Sequence, residues 1–311
     1  MSTPNIVILD AAPALTDLDI SGLSALGTVI AYDSTPSELL AERMQAADIV
    51  ITNKCRLDDA IFVACPRLRG ISVLATGLDN IAVDAASARG IAVRNVAGYS
   101  TPSTAQLAVG LLLAAAHNIV GNAVHVAHGG WQARGVWSYT LRPMLEISGS
   151  TIGIIGYGNI GKAIAAPLVA IGATVLPLAL PGREKDGHTP LAAALPTLDA
   201  IILQCPLTAE TRGLVDDEFL AQVKPGAILV NTARGPVVDP DAVCRALDSG
   251  QLGVYAADVM ETEPPRDGHV LTSHPKAIVT PHVAWSTDAS RKRLLAATIE
   301  NVRGMLNGMT G

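Results

Sequence analysis

Aromatic side chains are scarce: 311 residues include two Phe, five Tyr and three Trp. The cores must therefore be filled by Ala, Val, Ile and Leu, which suits strands buried on both faces of a parallel sheet. Charge is scarce too, at 16% of residues with a net charge of −6, and no basic run exceeds Arg291-Lys292-Arg293. That leaves no electrostatic footprint for a nucleic acid or an anionic membrane, and the triplet reads as a solvated helix face. Cys55, Cys65, Cys205 and Cys244 lie far apart without a C-x-x-C pair, so neither a disulfide framework nor a metal site is expected. A reducing, cytoplasmic setting fits. Long apolar runs are missing as well: Leu107 to Ala116 falls short of the roughly 20 residues a membrane span needs. The start, MSTPNIVILD, reads as a strand rather than a signal peptide.

What is present alternates. NIVILDA, VIAYD, DIVITN, GISVLAT and IAVRNV are β-branched runs separated by the helical patterns SELLAERMQA, LDDAIFVACP and NIAVDAASARG. Such alternation predicts βαβ units and a parallel sheet. A helix capped by Thr101 or Ser103, with Pro102 in its first turn, is then expected to run to about His128, apolar on nearly every face and therefore buried between domains or between subunits. Residues 129–143 read as a loop. His125 and His128 share one side of that helix but lack a third ligand, so they read as surface residues. A second α/β set runs through TIGIIG, ATVLPL, LDAIILQ, GAILVN, GVYAAD and AIVTPH. The last helix, from about Asp288, follows the final strand closely enough to cross back and complete the first domain.

G-x-G-x-x-G alone says little in a chain with 28 glycines, but here it follows a strand and opens the helix NIGKAIAAPLVAIG. Gly156 allows the tight turn, Gly158 lets a pyrophosphate approach the backbone, and Gly161 lets helix and strand pack closely. The first turn, with Asn159 and Ile160, supplies free N–H groups and partial positive charge for phosphates. The second strand of such a unit usually ends in an acid that holds the adenine ribose; that register falls on Ala179. Nothing there repels a 2′-phosphate, and Arg183 lies four residues on, so NADP is favoured over NAD. Glu184 or Asp186 reaching the ribose from a longer loop is the alternative.

Three later strand ends carry polar residues in loops: NTARG with Arg234, DVMETEP with Glu263 and TPHVAW with His282. Carboxyl ends are where open parallel sheets bind ligands. With GIIGYGNIG, CPLTAETRGL, LVNTARGPVVD, ADVMETEP and TPHVAW in that order, the chain resembles the D-isomer-specific 2-hydroxyacid dehydrogenases. LATGLDNIAVDAASARGIAV and NVAGYSTPSTAQ extend the resemblance to the first domain, and SYTLRPMLEISGSTIGIIGYG looks most similar to glycerate dehydrogenases and hydroxypyruvate or glyoxylate reductases.

The resemblance implies an α/β fold of two doubly wound domains, Rossmann-like and flavodoxin-like. Residues 98–286 would form a dinucleotide-binding domain inserted into a discontinuous substrate-binding domain of residues 1–97 and 287–311. It implies reduction of a small 2-keto acid to the D-2-hydroxy acid by NAD(P)H, and a homodimer through the dinucleotide-binding domains. Arg234, Glu263 and His282 would be the catalytic set. A planar guanidinium can hold carbonyl and carboxylate oxygens together, an imidazole can deliver a proton, and a carboxylate can orient the ring. Glu261, two residues away, could be mistaken for Glu263; the pattern D-V-x-x-x-E-P selects the latter.

Ala75, Thr76 and Gly77 carry over as backbone donors to the substrate carboxylate, with Lys54 able to add charge. Thr104, Cys205, Pro206, Thr211, Thr232, Ala233, Asp258, Ala284 and Trp285 carry over as residues along the cofactor. Rival expectations are a phosphoglycerate or 2-ketogluconate dehydrogenase of the same family, and a dinucleotide-sensing binding protein like the C-terminal-binding corepressors.

Overall fold

The computed structural model describes residues 3–180, 182–183 and 185–308. The chain divides into two compact units, Met1–Ser100 with Ser286–Gly311, and Thr101–Trp285. Among the described residues no single helix is long and apolar enough to cross a membrane.

In the first unit, β1 (Asn5–Ile8), β2 (Thr28–Ala31), β3 (Ile49–Thr52), β4 (Gly70–Val73) and β5 (Ala92–Arg94) form a parallel sheet in the order β2-β1-β3-β4-β5. Helices α1 (Ser21–Ser24), α2 (Leu40–Met44), α3 (Asp59–Ala64) and α4 (Val83–Ala88) connect the strands. Every residue of β3 and β4 is buried, the polar Thr52 and Ser72 included, as suits strands covered on both faces. Helix α12 (Asp288–Gly308) returns from the far end of the sequence and packs on β4. The fit is close: a Cβ on Gly70 would lie 2.6 Å from the Met305 sulfur. The strand order reverses between β1 and β3, so a crevice opens outside their carboxyl ends.

The second unit holds α5 (Thr101–Ala116), α6 (Ile119–Ala127), α7 (Gly130–Arg134), β6 (Thr151–Ile155), α8 (Asn159–Ala170), β7 (Thr174–Ala179), β8 (Thr189–Pro190) and α9 (Leu191–Ala194). It continues with β9 (Ala200–Leu203), α10 (Asp217–Gln222), β10 (Ala227–Asn231), α11 (Pro240–Ser249), β11 (Leu252–Ala257) and β12 (Ala277–Val279). Its seven strands run parallel in the order β12-β11-β10-β9-β6-β7-β8, with the reversal between β6 and β9. One face packs under α5 and α8 through Ala108, Leu112, Ile154, Ile164 and Val230, and the other through Leu203, Phe219, Leu229 and Leu247. Asp216 and Asp239 cap α10 and α11 by accepting backbone N–H groups, the local reason those helices begin where they do.

The predicted helix to His128 is two helices. Asn118 adopts a left-handed conformation (φ 51°) and the halves meet at 61°. Asn tolerates that backbone better than a β-branched residue, and an apolar pattern alone cannot reveal the break. α5 buries half its residues in the core of its own unit, whereas α6 buries none: Ile119, Val120, Val124 and Val126 are exposed. Ser103 does not cap α5; its hydroxyl donates to Ala284 O at 2.5 Å. The predicted loop 129–143 contains α7, and the two-residue strand β8 was too short to leave a pattern.

Candidate active site

Gly156 sits at φ 99°, and a Cβ there would meet the Gln204 and Cys205 backbone at 2.4 Å. A Cβ on Gly161 would lie 2.4 Å from Gly156 O, so the first turn of α8 presses directly on the strand end. Gly158 differs: a Cβ would meet nothing within 4 Å, and no side chain caps the helix it precedes. The turn is therefore tight where the chain packs on itself and open where a phosphate would approach, with uncapped amides behind it. It lies at the reversal point, beside Gln204, Cys205 and Pro206 after β9. Burial holds the Cys205 thiol up at about 11, so it remains a neutral packing group near neutral pH.

Ala179 ends β7, pairs with Pro190 of β8 and is buried. Arg183 is exposed, and its guanidinium lies 3.2 Å from the Glu210 carboxylate. Thr211 donates to Pro206 O at 2.7 Å and closes the 206–211 turn, while Thr232 donates to the Gln204 amide oxygen at 2.7 Å. Gln204 thereby ties the ends of β9 and β10; a polar residue closing a buried strand is the signal that could have marked it.

Arg234 follows β10 in extended conformation and is half-buried. Asn231, fully buried at the strand end, shapes the turn. Its Oδ1 accepts from Ala233 N at 3.0 Å and its Nδ2 donates to Arg234 O at 3.1 Å. The buried Tyr255 hydroxyl bonds Asn231 in turn, and burial pushes that hydroxyl well above its usual range. The guanidinium donates to Ala233 O at 2.8 Å. Gly235 has no room for a side chain, since a Cβ would lie 1.9 Å from the Met260 carbonyl carbon. The Arg234 turn is thus pressed against the loop that carries Glu263.

In that loop, Glu263 Oε1 accepts from Met260 N at 3.1 Å and Oε2 lies 2.6 Å from His282 Nδ1. The side chains of His282 and Glu263 are 26% and 33% exposed, shielded enough to hold one geometry yet open to a ligand. The carboxylate occupies Nδ1, which makes Nε2 the nitrogen able to exchange a proton with a ligand. Glu261 is turned to His269, at 2.7 Å.

His282 is held at φ 52°, a left-handed backbone that is uncommon outside glycine. Asp258 maintains it. Buried after β11, its carboxylate accepts from Thr280 Oγ1 (2.6 Å), Val283 N (2.9 Å) and Ala284 N (2.7 Å), the two amides that directly follow the histidine. Burial raises the Asp258 carboxyl above its ordinary value, and these bonds oppose the rise. Trp285 Nε1 donates to His282 O at 2.8 Å and completes the turn. The sequence alone did not mark Asn231 and Thr280; Asn231 closes the fully buried β10, and Thr280 follows the partly buried edge strand β12.

Residues 109–284 match the family model described as D-isomer specific 2-hydroxyacid dehydrogenase, NAD binding domain. The chain belongs to this family. Hydroxypyruvate reductase from Blautia hydrogenotrophica is 38% identical over 301 residues, covering 94% of this chain and 93% of the relative. Glycerate dehydrogenase from Methylorubrum extorquens is 39% identical over 281 residues, covering 89% and 88%. A crystal structure of a Thermus thermophilus protein superposes with a TM-score of 0.89 at 31% identity, covering 98% of this chain and 97% of that one. The chain is accordingly an NAD(P)-dependent oxidoreductase of the D-2-hydroxyacid dehydrogenase family, and the open Gly158 turn with its uncapped amides suits such a dinucleotide.

Among the remaining predicted residues of this dehydrogenase, Thr104 and Ala233 are buried, Ala284 is fixed by Asp258, and Asn159 and Ile160 form the first turn of α8. Lys54, Ala75, Thr76 and Gly77 lie in the first unit, after β3 and β4; Lys54 and Thr76 are exposed. Away from these groups, Cys244, Asp248 and His274 place one ligand-type atom each within 4.8 Å of one another. His274 Nδ1 accepts the Lys276 N–H at 3.1 Å, which puts the ring proton on Nε2, facing Asp248 at 3.3 Å. Lys276 Nζ donates to Leu247 O at the end of α11. This arrangement is a clasp on a helix C-terminus, where cationic donors are favourable.

Proposed function

We propose that this dehydrogenase reduces a small 2-keto acid, hydroxypyruvate or glyoxylate, to the 2-hydroxy acid, of D configuration where the product is chiral. The His282–Glu263 pair at 2.6 Å is the observation that carries the reading. A bound nicotinamide dinucleotide supplies the hydride. Arg234 pairs its planar guanidinium with the substrate's carboxylate and carbonyl oxygens, orienting the carbonyl and stabilising the charge that grows on its oxygen. His282 Nε2 gives its proton to that oxygen, while Glu263 keeps the ring oriented and offsets its positive charge. Ala75, Thr76 and Gly77 offer backbone donors to the carboxylate. The names of the two relatives above support this substrate class.

We favour NADP over NAD. Support comes from the buried Ala179 where an acid would hold a ribose, and from Arg183, whose carboxylate partner Glu210 is as exposed as itself and can be displaced by a phosphate. Arg183→Ala should weaken NADPH binding about tenfold and leave NADH within about twofold, the loss of one charge-assisted pair. Equal losses for both cofactors would show that Arg183 only shapes its loop.

The exposed apolar residues of α6, with Trp137 at 90% exposure, support a homodimer through the second unit. Light scattering should return the mass of two chains; a single-chain mass would remove that assignment. The four free cysteines suit a reducing cytoplasmic setting.

The deciding assay follows oxidation of NADPH and NADH with hydroxypyruvate, glyoxylate, pyruvate, 2-ketogluconate and phosphohydroxypyruvate. Turnover of hydroxypyruvate or glyoxylate supports the proposal. Preference for a phosphorylated or sugar acid moves the chain to another branch of the family, and dinucleotide binding without any turnover makes it a sensor.

A further inference from the structure

We propose that Asp10 and Asn80 are positioning residues that hold the Lys54 turn as the carboxylate subsite for the substrate. This rests on the reading above, in which the Ala75–Gly77 backbone receives the keto-acid carboxylate; Lys54, which the family resemblance leaves able to add charge there, is assigned to the same subsite.

The turn stands where the order of the first sheet reverses, at the carboxyl ends of β1 and β3. Asp10 follows β1 and is 8% exposed. Its two oxygens accept three consecutive amides of the turn after β3: Asn53 N at 2.8 Å, Lys54 N at 2.5 Å and Cys55 N at 3.2 Å. A carboxylate can accept on both oxygens, whereas an amide would set its own NH2 against a backbone donor. The chain curls around this charge, and the Lys54 side chain stands at the exposed crest of the turn.

Asn80 grips the same turn through its carbonyls. Its Nδ2 donates to Cys55 O at 2.9 Å and Asn53 O at 3.4 Å, while its own carbonyl accepts Leu57 N at 2.9 Å. Asn80 ends LATGLDN, the stretch containing Ala75–Gly77, and that stretch is anchored by Asn95 Nδ2 donating to Thr76 O at 2.6 Å. Lys54 and the Ala75–Gly77 backbone therefore belong to one hydrogen-bonded frame. Burial, then the Asp10 charge, hold the Cys55 thiol up at about 11, so it stays neutral near neutral pH. A long lysine loses much of its value as an anion receptor if its backbone wanders, so fixing the turn lowers the ordering cost of binding.

The test compares steady-state constants and melting temperatures of wild type, Lys54→Ala, Asp10→Asn, Asn80→Ala and the doubles Asp10→Asn/Lys54→Ala and Asn80→Ala/Lys54→Ala. Each single change should raise the keto-acid KM about tenfold and leave the KM for reduced nicotinamide within about twofold. Each double should match Lys54→Ala within about twofold, because residues acting through one group are not additive. Asn80→Ala removes no charge and keeps the test open if Asp10→Asn fails to fold. Multiplied effects in the doubles, an unchanged keto-acid KM in Lys54→Ala, or unchanged KM in both positioning variants would each overturn the proposal. A wild type that reduces no 2-keto acid with either cofactor would remove the functional reading itself, and is seen before any variant is made.

Discussion

Replacing His282 by Asn should lower kcat for keto-acid reduction by about a thousandfold while the affinity for reduced nicotinamide stays within about threefold, the usual scale for losing a positioned general acid. Asn is chosen over Ala because the residue sits at φ 52°, where Asn is among the side chains that tolerate the backbone. The turn is otherwise secured by groups the substitution leaves alone, the Asp258 carboxylate on Val283 N and Ala284 N. A loss of rate with an intact turn then reports on the proton at Nε2. Glu263→Gln should fall between wild type and His282→Asn, since it keeps a polar group beside Nδ1 but removes the negative charge. Both are read by stopped-flow oxidation of NADPH together with a direct cofactor titration. Turnover of His282→Asn within about threefold of wild type would sink the proton-donor assignment.

Arg234→Lys should cost about a thousandfold in kcat/KM for the keto acid, spread over both constants. The substitution retains the positive charge, so the loss measures the planar fork rather than electrostatics in general. With one flexible ammonium, carboxylate and carbonyl oxygen cannot be held together, and the carbonyl loses its alignment. The backbone accepts the change readily: Arg234 is extended, and the turn is shaped by Asn231 through main-chain bonds. An unchanged cofactor affinity and melting temperature should accompany the kinetic loss. A kcat/KM within about threefold of wild type would show that Arg234 supplies only charge.

The elements most legible in the chain were those with a local cause. Buried parallel strands showed as Val, Ile and Leu runs, and glycines at fixed offsets marked the turn between β6 and α8. The misses were equally physical. Asn118 breaks a continuous apolar pattern by a single backbone rotation. α7 lies in a Gly- and Trp-rich stretch with no period to follow, and β8 spans two residues paired only by the edge it meets. The exposed face of α6 shows that an apolar pattern says what a helix prefers to bury and not what its own chain offers it.

By itself the amino-acid sequence determined the two parallel α/β sheets, the glycine turn and the loops in which the polar residues stand, because strand burial, capping and turn geometry depend on neighbours within a few positions. Only the tertiary structure put Glu263, which the family pattern had selected over Glu261, at 2.6 Å from His282, and decided that Asp258 fixes the turn presenting this ring and that Asp10 and Asn80 share the turn carrying Lys54. Those pairings join residues from 19 to 45 positions apart. They exist because parallel strands bring the loops at their carboxyl ends to one edge of a sheet, and which loops become neighbours is set by strand order rather than by any local pattern.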